Sequence, residues 1–401
     1  MTTTQALKQL SISQLFNFSR LANRPSALWR RPGTSQKELL IDMTGTNRLV
    51  KTDLEELPAG FIVSPFLNPD NQKSRWLNAD IYLCFNPQKS LINELSWGIE
   101  KIEYLEKEAL ASPKLKQNYF ETRPNQEVIN EQNQDKFIEN VNQAIAAIKE
   151  GEFQKVVISK IKNIELSTDF EIVTAFDKLC EAYPNAFVSV VYLPEEDALW
   201  LGASPETLVS IDAEGIFRTV SLAGTQAAID ADGESISPAE ARWSQKEIEE
   251  QSFVSRYIIE CFKKIRLREY IENGPKTVQA GNLLHLRTDY SVDTKAVNFV
   301  QLPSVMLELL HPTSAVCGMP KATALAFILA NEPHQRSYYS GYLGPVNIQN
   351  QSHLFVNLRT MQIIDNQGVV YAGAGITEDS KPLKEWRETE IKCQTLLNVI
   401  L

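Results

Sequence analysis

The sequence predicts an α+β fold in which large, mostly antiparallel sheets carry helices on their outer faces. The first observation behind this prediction is the order of the elements. Strand-like segments come in runs joined by short turns, and helical segments separate the runs instead of alternating with single strands. The second is that no strand–GxGxxG–helix unit surrounds the isolated GxG at 373–375, which disfavours a dinucleotide-binding fold.

The first 130 residues are irregular in pattern. Short apolar runs separated by Pro, Asn and Gly predict strands at 38–43, 59–66 and 79–85. A polar stretch at 116–135 then predicts a connector and the most plausible internal boundary.

From residue 136 the pattern becomes regular. Apolar side chains at helical spacing, including Phe137, Val141 and Ile148, predict a helix that ends near Gly151. A β-branched run predicts a strand at 153–166 directly after it. The remaining predicted strands lie at 186–194, 198–205, 206–212, 216–225, 338–348, 354–364 and 368–377, and the predicted helical segments at 237–265, 300–312, 320–332 and the C-terminus.

Composition, charge and the lack of a long apolar segment disfavour several classes of protein. A formal net charge of −10, a pI of about 5.2 and the lack of a Lys/Arg run disfavour nucleic-acid binding. Five scattered cysteines without a CxxC pair indicate neither a disulfide framework nor a zinc site. The N-terminus lacks the apolar core of a signal peptide, and the apolar run 324–330 is too short to span a bilayer. We therefore expect a cytoplasmic protein without a membrane segment.

The segment EWRETEIKC near the C-terminus suggests a site. On a helix, Glu385, Glu388 and Lys392 share one face, because they are spaced i, i+3 and i+7. Such a face is often only a solvated, salt-bridged surface. It is also suited to a metal and an anionic substrate, since Mg²⁺ takes carboxylate oxygens and an ammonium pairs with an anion.

Nine segments, taken in their order along the chain, favour the metal and substrate site over the salt-bridged surface. Together they closely resemble the chorismate-utilising enzymes, the family of isochorismate, salicylate, anthranilate and aminodeoxychorismate synthases. The resemblance covers about residues 130–401. It implies one α/β/β/α domain over 1–401, with a variable part at 1–130 and a catalytic core at 131–401. The segments are QKVVISK (154–160), GASPETL (202–208), SLAGT (221–225), SQKEIEEQ (244–251), LLHL (283–286), LHPTSAVCGMPK (310–321), RSYYSGYLG (336–344), LFVNLRT (354–360) and AGAGITEDSKPLKEWRETEIK (372–392).

The resemblance implies an acid and a base. Lys155 matches the lysine that acts as general base in members that use water, whereas members that use ammonia have glutamine there. Its pKa would have to fall toward neutrality for this task. Glu206 matches the general acid that protonates the departing hydroxyl, which requires a raised pKa.

The resemblance also implies a Mg²⁺ site and a substrate site. Glu250 and Glu388 match the metal ligands, and Glu247 and Glu385 match supporting or water-mediated contacts. Many relatives have histidine where this chain has Gln251, so the chain departs from the family pattern beside the expected metal ligand Glu250. The residues expected to contact or line the substrate are Gly224, Thr225, His285, Ala315, Tyr339, Arg359, Gly373 and Lys392.

Ala315 and Lys155 together favour isomerisation alone. Salicylate and anthranilate synthases carry a threonine at the position of Ala315, whereas isochorismate synthases carry alanine. We therefore expect an isochorismate synthase for menaquinone or siderophore biosynthesis, monomeric and without a glutamine amidotransferase partner. The alternatives are a salicylate synthase, an aminating anthranilate or aminodeoxychorismate synthase component, and a chorismate-binding protein without catalysis.

Overall fold

Two antiparallel β-sheets form the body of the protein. The computed structural model describes residues 10–45, 48–68, 71, 73–86, 91–94, 98–112, 133–228, 235–280 and 283–401. In chain order the strands are β1 (Ser26–Arg30), β2 (Lys37–Ile41), β3 (Arg48–Val50), β4 (Gly60–Ser64), β5 (Ser74–Asn78), β6 (Ile81–Phe85), β7 (Leu91–Glu94), β8 (Lys155–Glu165), β9 (Phe187–Leu193), β10 (Ala198–Ser204), β11 (Thr207–Ile211), β12 (Ile216–Ala227), β13 (Ile271–Ala280), β14 (Leu283–Asp293), β15 (Gly318–Met319), β16 (Tyr342–Val346), β17 (Ser352–Val356), β18 (Thr360–Ile364) and β19 (Gln367–Ile376).

The strands divide into a ten-stranded and a nine-stranded sheet. The first has the order β15-β8-β19-β18-β10-β9-β1-β2-β6-β7, and the second the order β13-β14-β12-β11-β17-β16-β4-β5-β3. Neighbouring strands pair antiparallel throughout, as in β8 with β19 and β12 with β14. Residues before the predicted connector continue both sheets, since β1 pairs with β9 and β4 with β16. Most of the connector itself lies outside the described residues.

Helices cover the outer faces of the sheets. They are α1 (Ile12–Leu21), α2 (Gly98–Ala111), α3 (Gln134–Lys149), α4 (Ile172–Ala182), α5 (Gln245–Lys264), α6 (Leu302–Leu310), α7 (Lys321–Asn331) and α8 (Pro382–Ile400). One apolar core joins α1, α2, α4 and α8 to the ten-stranded sheet, and another joins α5 and α6 to the nine-stranded sheet. No helix in the described part of the chain is long and apolar enough to cross a membrane.

A layer rich in aromatic side chains fills the space between the sheets. Trp29 and Trp200 from one sheet and Phe61 and Phe355 from the other are buried in it. Such rings bury large apolar areas and hold the two sheets face to face. The predicted α+β fold with two antiparallel sheets and outer helices is therefore confirmed.

Two predicted elements differ from the structure. The segment 354–364, predicted as one strand, is two strands, β17 and β18, that belong to different sheets. Apolar and β-branched content indicates a strand but does not reveal which sheet receives each half. The helix predicted at 237–265 begins only at Gln245, because Ser244 and Glu247 form a capping box that fixes its start.

Candidate active site

A cavity between the edges of the two sheets brings most of the predicted site residues together. Of the fourteen residues that the sequence indicated, twelve line it: Lys155, Glu206, Gly224, Thr225, Glu250, His285, Ala315, Tyr339, Arg359, Gly373, Glu388 and Lys392. These residues come from both sheets, from two helices and from the loops between them. A cavity of this construction can surround a small ligand from several sides.

Two chain crossings between the sheets place Glu206 and Arg359. The chain leaves the ten-stranded sheet after β10 and enters the nine-stranded sheet at β11, with Glu206 in between. It returns from β17 to β18, with Arg359 in between. Backbone hydrogen bonds fix both crossings, since the Val356 amide donates to the Glu206 carbonyl over 3.0 Å and the Ala203 amide to the Arg359 carbonyl over 3.0 Å.

Lys155 begins strand β8 and its side chain faces the cavity. Alternation along the strand sends Val156 and Ile158 to the opposite, apolar face. Lys155 is only 3% exposed. Burial lowers its pKa, the ammonium groups of Lys392 and Lys246 lower it further, and the Glu250 carboxylate opposes the shift.

Glu206 is equally buried, at 4% exposure. Burial raises its pKa to about 8, against the opposing effect of Lys155 and Lys392. A carboxyl group with this pKa keeps its proton at neutral pH and can donate it. Lys155 and Glu206 thus have the shifts that a general base and a general acid need.

Arg359, Tyr339 and Gly373, the residues expected to bind a substrate carboxylate, line the same cavity. Arg359 has a φ of 48°, and its Nη1 is buried without a hydrogen-bond partner among the described residues. A Cβ on Gly373 would lie 2.9 Å from the Tyr339 hydroxyl, so only glycine allows this close approach. A buried guanidinium nitrogen without a partner among the described residues is suited to a carboxylate.

Glu250 on α5 and Glu388 on α8 bring two carboxylates from different helices to the same cavity. The Glu388 carboxylate pairs with Lys392 over 2.6 Å, and Lys392 also donates to the Gly373 carbonyl over 2.8 Å. Burial opposes ionisation of Glu388, but Lys392 and Lys246 keep its pKa below the usual value. Burial raises the pKa of Glu250.

The carboxylate oxygens of Glu250 and Glu388 fit Mg²⁺. Among the described residues, no group of three or more His, Cys, Asp or Glu side chains could hold a metal ion. Of the three carboxyl groups that line the cavity, Glu206 keeps its proton at neutral pH, which leaves Glu250 and Glu388 as the candidate ligands. Mg²⁺ is commonly bound by one or two carboxylates, with waters and substrate oxygens completing its shell. The donor set is therefore compatible with the predicted metal.

Glu247 and Glu385 do not line the cavity. Glu247 accepts hydrogen bonds from the Ser244 amide and hydroxyl at 2.7 and 2.8 Å, as a helix cap. Glu385 is fully buried and pairs with Lys246 over 2.7 Å. Lys246 was not among the predicted site residues, although its i,i+4 spacing to Glu250 places the two on one helix face.

His285, Gly224 and Gln251 support the cavity wall. The His285 Nδ1 lies 2.9 Å from the Gly224 carbonyl, and burial together with Arg359 lowers its pKa to about 4. The ring is therefore neutral at neutral pH, with Nδ1 as the donor. Gln251 donates to the Ser221 carbonyl over 3.3 Å and to the Thr288 hydroxyl over 3.1 Å, which ties α5 to β12 and β14.

Comparison with known proteins identifies the family. The sequence model of the family described as "Chorismate binding enzyme" matches residues 55–401. The chain belongs to the chorismate-binding enzyme family. The match begins well before residue 130, so part of the N-terminal region shares the family pattern.

Named relatives of this chorismate-binding enzyme include isochorismate synthases. Isochorismate synthase EntC of Escherichia coli (strain K12) is 30% identical over 266 residues, 66% of this chain and 66% of that protein. Isochorismate synthase MenF of Bacillus subtilis (strain 168) is 24% identical over 272 residues, 67% of this chain and 56% of that protein. The matches thus span 66% and 56% of these relatives' own lengths, less than two thirds in both cases.

A solved structure shares the fold of this family member. It is that of DhbC from Bacillus anthracis, to which a 2,3-dihydroxybenzoate-specific isochorismate synthase activity is ascribed. The two structures align with a TM-score of 0.70 and 21% identity, over 96% of this chain and 99% of the other. At this identity the likeness supports the fold and leaves the reaction to the site residues.

Proposed function

We propose that the protein is a Mg²⁺-dependent isochorismate synthase that converts chorismate to isochorismate. The observation that carries this proposal is the pairing of Lys155, whose pKa is lowered, with Glu206, whose pKa is raised to about 8, on one cavity. A neutral amine can accept a proton, and a neutral carboxyl group can donate one.

The proposed reaction is a substitution with migration of the ring double bonds. Neutral Lys155 takes a proton from a water molecule as its oxygen bonds to ring carbon 2. The double bonds shift, the bond from carbon 4 to its hydroxyl breaks, and Glu206 protonates the leaving oxygen, which departs as water. One water is consumed and one released, so the change is an isomerisation, and proton exchange with solvent resets both side chains.

Binding and orientation fall to the other cavity residues. Glu250 and Glu388 would hold Mg²⁺, which neutralises and anchors the ring carboxylate when bound. Arg359, Tyr339 and the Gly373 amide would bind the enolpyruvyl carboxylate, and Lys392 would contact the substrate beside Glu388. Gly224, Thr225, His285 and Ala315 would complete the wall and fix the orientation of the ring.

Two positions favour isomerisation over the related reactions. Ala315 lines the cavity and offers no hydroxyl where salicylate synthases are expected to have threonine, which disfavours loss of pyruvate. Lys155 stands where ammonia-using members are expected to have glutamine, which disfavours amination and an amidotransferase partner. We further propose a cytoplasmic monomer whose product enters menaquinone or siderophore synthesis.

Product analysis tests the assignment. Purified protein with chorismate and Mg²⁺ should form isochorismate reversibly, with no pyruvate signal in a lactate dehydrogenase assay and no stimulation by ammonium.

Lys155→Ala should lower the rate by roughly 10²–10⁴-fold, the usual contribution of a general base. The matched control is Lys162→Ala on the same strand, because Lys162 pairs with Glu390 away from the cavity. Pyruvate formed as fast as chorismate disappears would instead identify a salicylate synthase.

A further inference from the structure

A buried ion pair between Glu332 and Arg336 lies behind the cavity wall. Glu332 directly follows helix α7; its side chain is 3% exposed and that of Arg336 is 2% exposed. The Arg336 Nε and Nη2 donate to the two carboxylate oxygens of Glu332 over 2.8 and 2.5 Å. Neither residue lines the cavity, and neither has a part in the proposed reaction. Because burying two charges costs free energy, the pair needs another explanation.

The remaining bonds of Arg336 hold two segments of the cavity wall. Its Nη1 donates to the Val316 carbonyl over 2.7 Å, and its Nη2 donates also to the Val157 carbonyl over 2.7 Å. Val157 and Val316 both line the cavity. Val157 lies two residues after the proposed base Lys155, and Val316 directly follows Ala315. One guanidinium thus joins the strand of the base to the turn that carries Ala315.

The same ion pair reaches two further points of the site. The Glu332 Oε1 also accepts from the Ser159 amide over 2.6 Å, so the carboxylate holds strand β8 at a second point. The Tyr339 amide donates to the Arg336 carbonyl over 2.8 Å, and the guanidinium lies 6.0 Å from the centre of the Tyr339 ring. Strand β8, the turn at Ala315 and the cavity residue Tyr339 are therefore connected through one pair of side chains.

We propose that Arg336 and Glu332 are positioning residues that set the place of Lys155 relative to the groups around the substrate. This inference rests on the proposed function. A guanidinium suits the task, because its planar fork binds a carboxylate at two points while its other N–H groups reach two carbonyls in fixed directions. An ammonium would keep the charge but donates only three hydrogen bonds from a single nitrogen, so it cannot make all four contacts.

The competing explanation is that the pair only stabilises the fold. Both explanations predict that Arg336→Lys lowers the melting temperature, because the variant leaves buried acceptors without their donors. They differ in what a folded molecule of the variant does. A purely stabilising pair would leave the rate per folded molecule unchanged, whereas a positioning pair lowers it.

The experiment compares wild type and Arg336→Lys well below both melting temperatures, with the rate followed as loss of chorismate per folded molecule. We expect kcat to fall roughly tenfold or more, because proton transfer needs close alignment. Water admitted beside Lys155 should also raise its pKa toward the ordinary value, so the rising limb of the pH–rate profile should move to higher pH. A wild-type kcat in folded Arg336→Lys would overturn the proposal.

Arg24→Lys is the matched control. Arg24 makes the same kind of contacts away from the cavity, since it donates to both oxygens of Glu108 and to the Met43 carbonyl. Its substitution should lower the melting temperature and leave kcat and the pH–rate profile unchanged. Equal losses of kcat in Arg24→Lys and Arg336→Lys would also overturn the proposal.

Phe66→Leu replaces Arg336→Lys if circular dichroism shows that the latter does not fold. The Phe66 ring lies 4.4 Å from the Arg336 guanidinium and outside the cavity, so its loss loosens Arg336 without removing a hydrogen bond. We then expect kcat to fall by roughly threefold or more, and an unchanged kcat would overturn the proposal.

Loss of chorismate does not depend on which product forms, so the experiment separates this inference from the proposed function. A wild type that forms pyruvate as fast as it consumes chorismate would reject the proposed function, while a slower Arg336→Lys would still support the inference. Isochorismate formed equally fast by both folded proteins would retain the proposed function and reject the inference.

Discussion

The proposed reaction requires Lys155 and Glu206 in their neutral forms, and burial favours the neutral form of both. Water normally stabilises an ammonium and a carboxylate, so removing it lowers the pKa of the amine and raises that of the acid. Single residues thus acquire their proposed roles from the cavity and not from their identity. Sequence alone names the residues, whereas the pKa shifts depend on packing.

Glu206 should lower the stability of the protein at neutral and alkaline pH. Its folded pKa is about 8, above the ordinary 4.5, so the folded state binds the proton more tightly than the unfolded state. The contribution of this group to stability is complete below pH 4.5, is lost as pH rises to about 8, and is constant above.

Glu206→Gln removes this dependence and should therefore raise the melting temperature relative to wild type. The difference should grow between pH 5 and 8 and then level off, and it should correspond to a few kcal/mol at most in the free energy of unfolding. Differential scanning fluorimetry across this range measures it, with the exposed Glu152→Gln as the control. Isomerisation should be nearly lost in the same variant. A melting-temperature difference that does not change with pH would contradict the raised pKa.

Strand β19 shows how one element serves both the fold and the site. Gly375 and Gly368 both lie on it, but a Cβ would meet different neighbours at each. At Gly375 it would lie 3.1 Å from the Cε of Lys155, and at Gly368 it would lie 2.8 Å from Ile164 and from Met361. The first position borders the proposed base, and the second borders apolar packing.

Gly375→Ala should displace the Lys155 amine by a few tenths of an ångström and lower kcat/KM by roughly tenfold or more, because proton transfer needs close alignment. Its melting temperature should stay near that of wild type. Gly368→Ala is the matched control, and there we expect the reverse: a lower melting temperature from overpacking and a nearly unchanged kcat/KM. Steady-state kinetics and thermal melts on both variants measure the contrast. If both variants lowered kcat/KM equally, the effect of Gly375→Ala could not be assigned to its contact with Lys155.

Local sequence patterns predicted most helices and strands from residue 136 onward. They did not predict that the chain passes from one sheet to the other at Arg359. The segment 354–364 is continuously strand-like, and Arg359 adopts a positive φ without the glycine or asparagine that usually signals one. Helix α4 was also missed, because its apolar face lies among strand-like neighbours. Lys246 was missed for another reason: its partner Glu385 is 139 residues away, and only tertiary packing joins them.

Over the whole molecule, the proposed function requires an acidic protein to bind a dianionic substrate in a buried cavity. The net charge is −10, so long-range attraction does not supply the affinity. With Lys155 and Glu206 neutral, as the reaction requires, the cavity keeps two negative groups, Glu250 and Glu388, and two positive groups, Arg359 and Lys392. Their charges cancel. Adding Mg²⁺ alone or a dicarboxylate alone would leave two uncompensated charges in a poorly hydrated space, which is costly.

Mg²⁺ and chorismate should therefore bind cooperatively, because together they add no net charge. We expect each to strengthen the binding of the other by about tenfold or more, and by the same factor in both directions, since linkage is reciprocal. Lys155→Ala suits the measurement because it should bind both without turnover. Calorimetry would titrate Mg²⁺ with and without saturating chorismate, and chorismate with and without Mg²⁺. Glu388→Gln should bind Mg²⁺ weakly in either case. If the affinity for Mg²⁺ did not depend on chorismate, and the affinity for chorismate did not depend on Mg²⁺, charge compensation between the two ligands would be ruled out as a source of their binding.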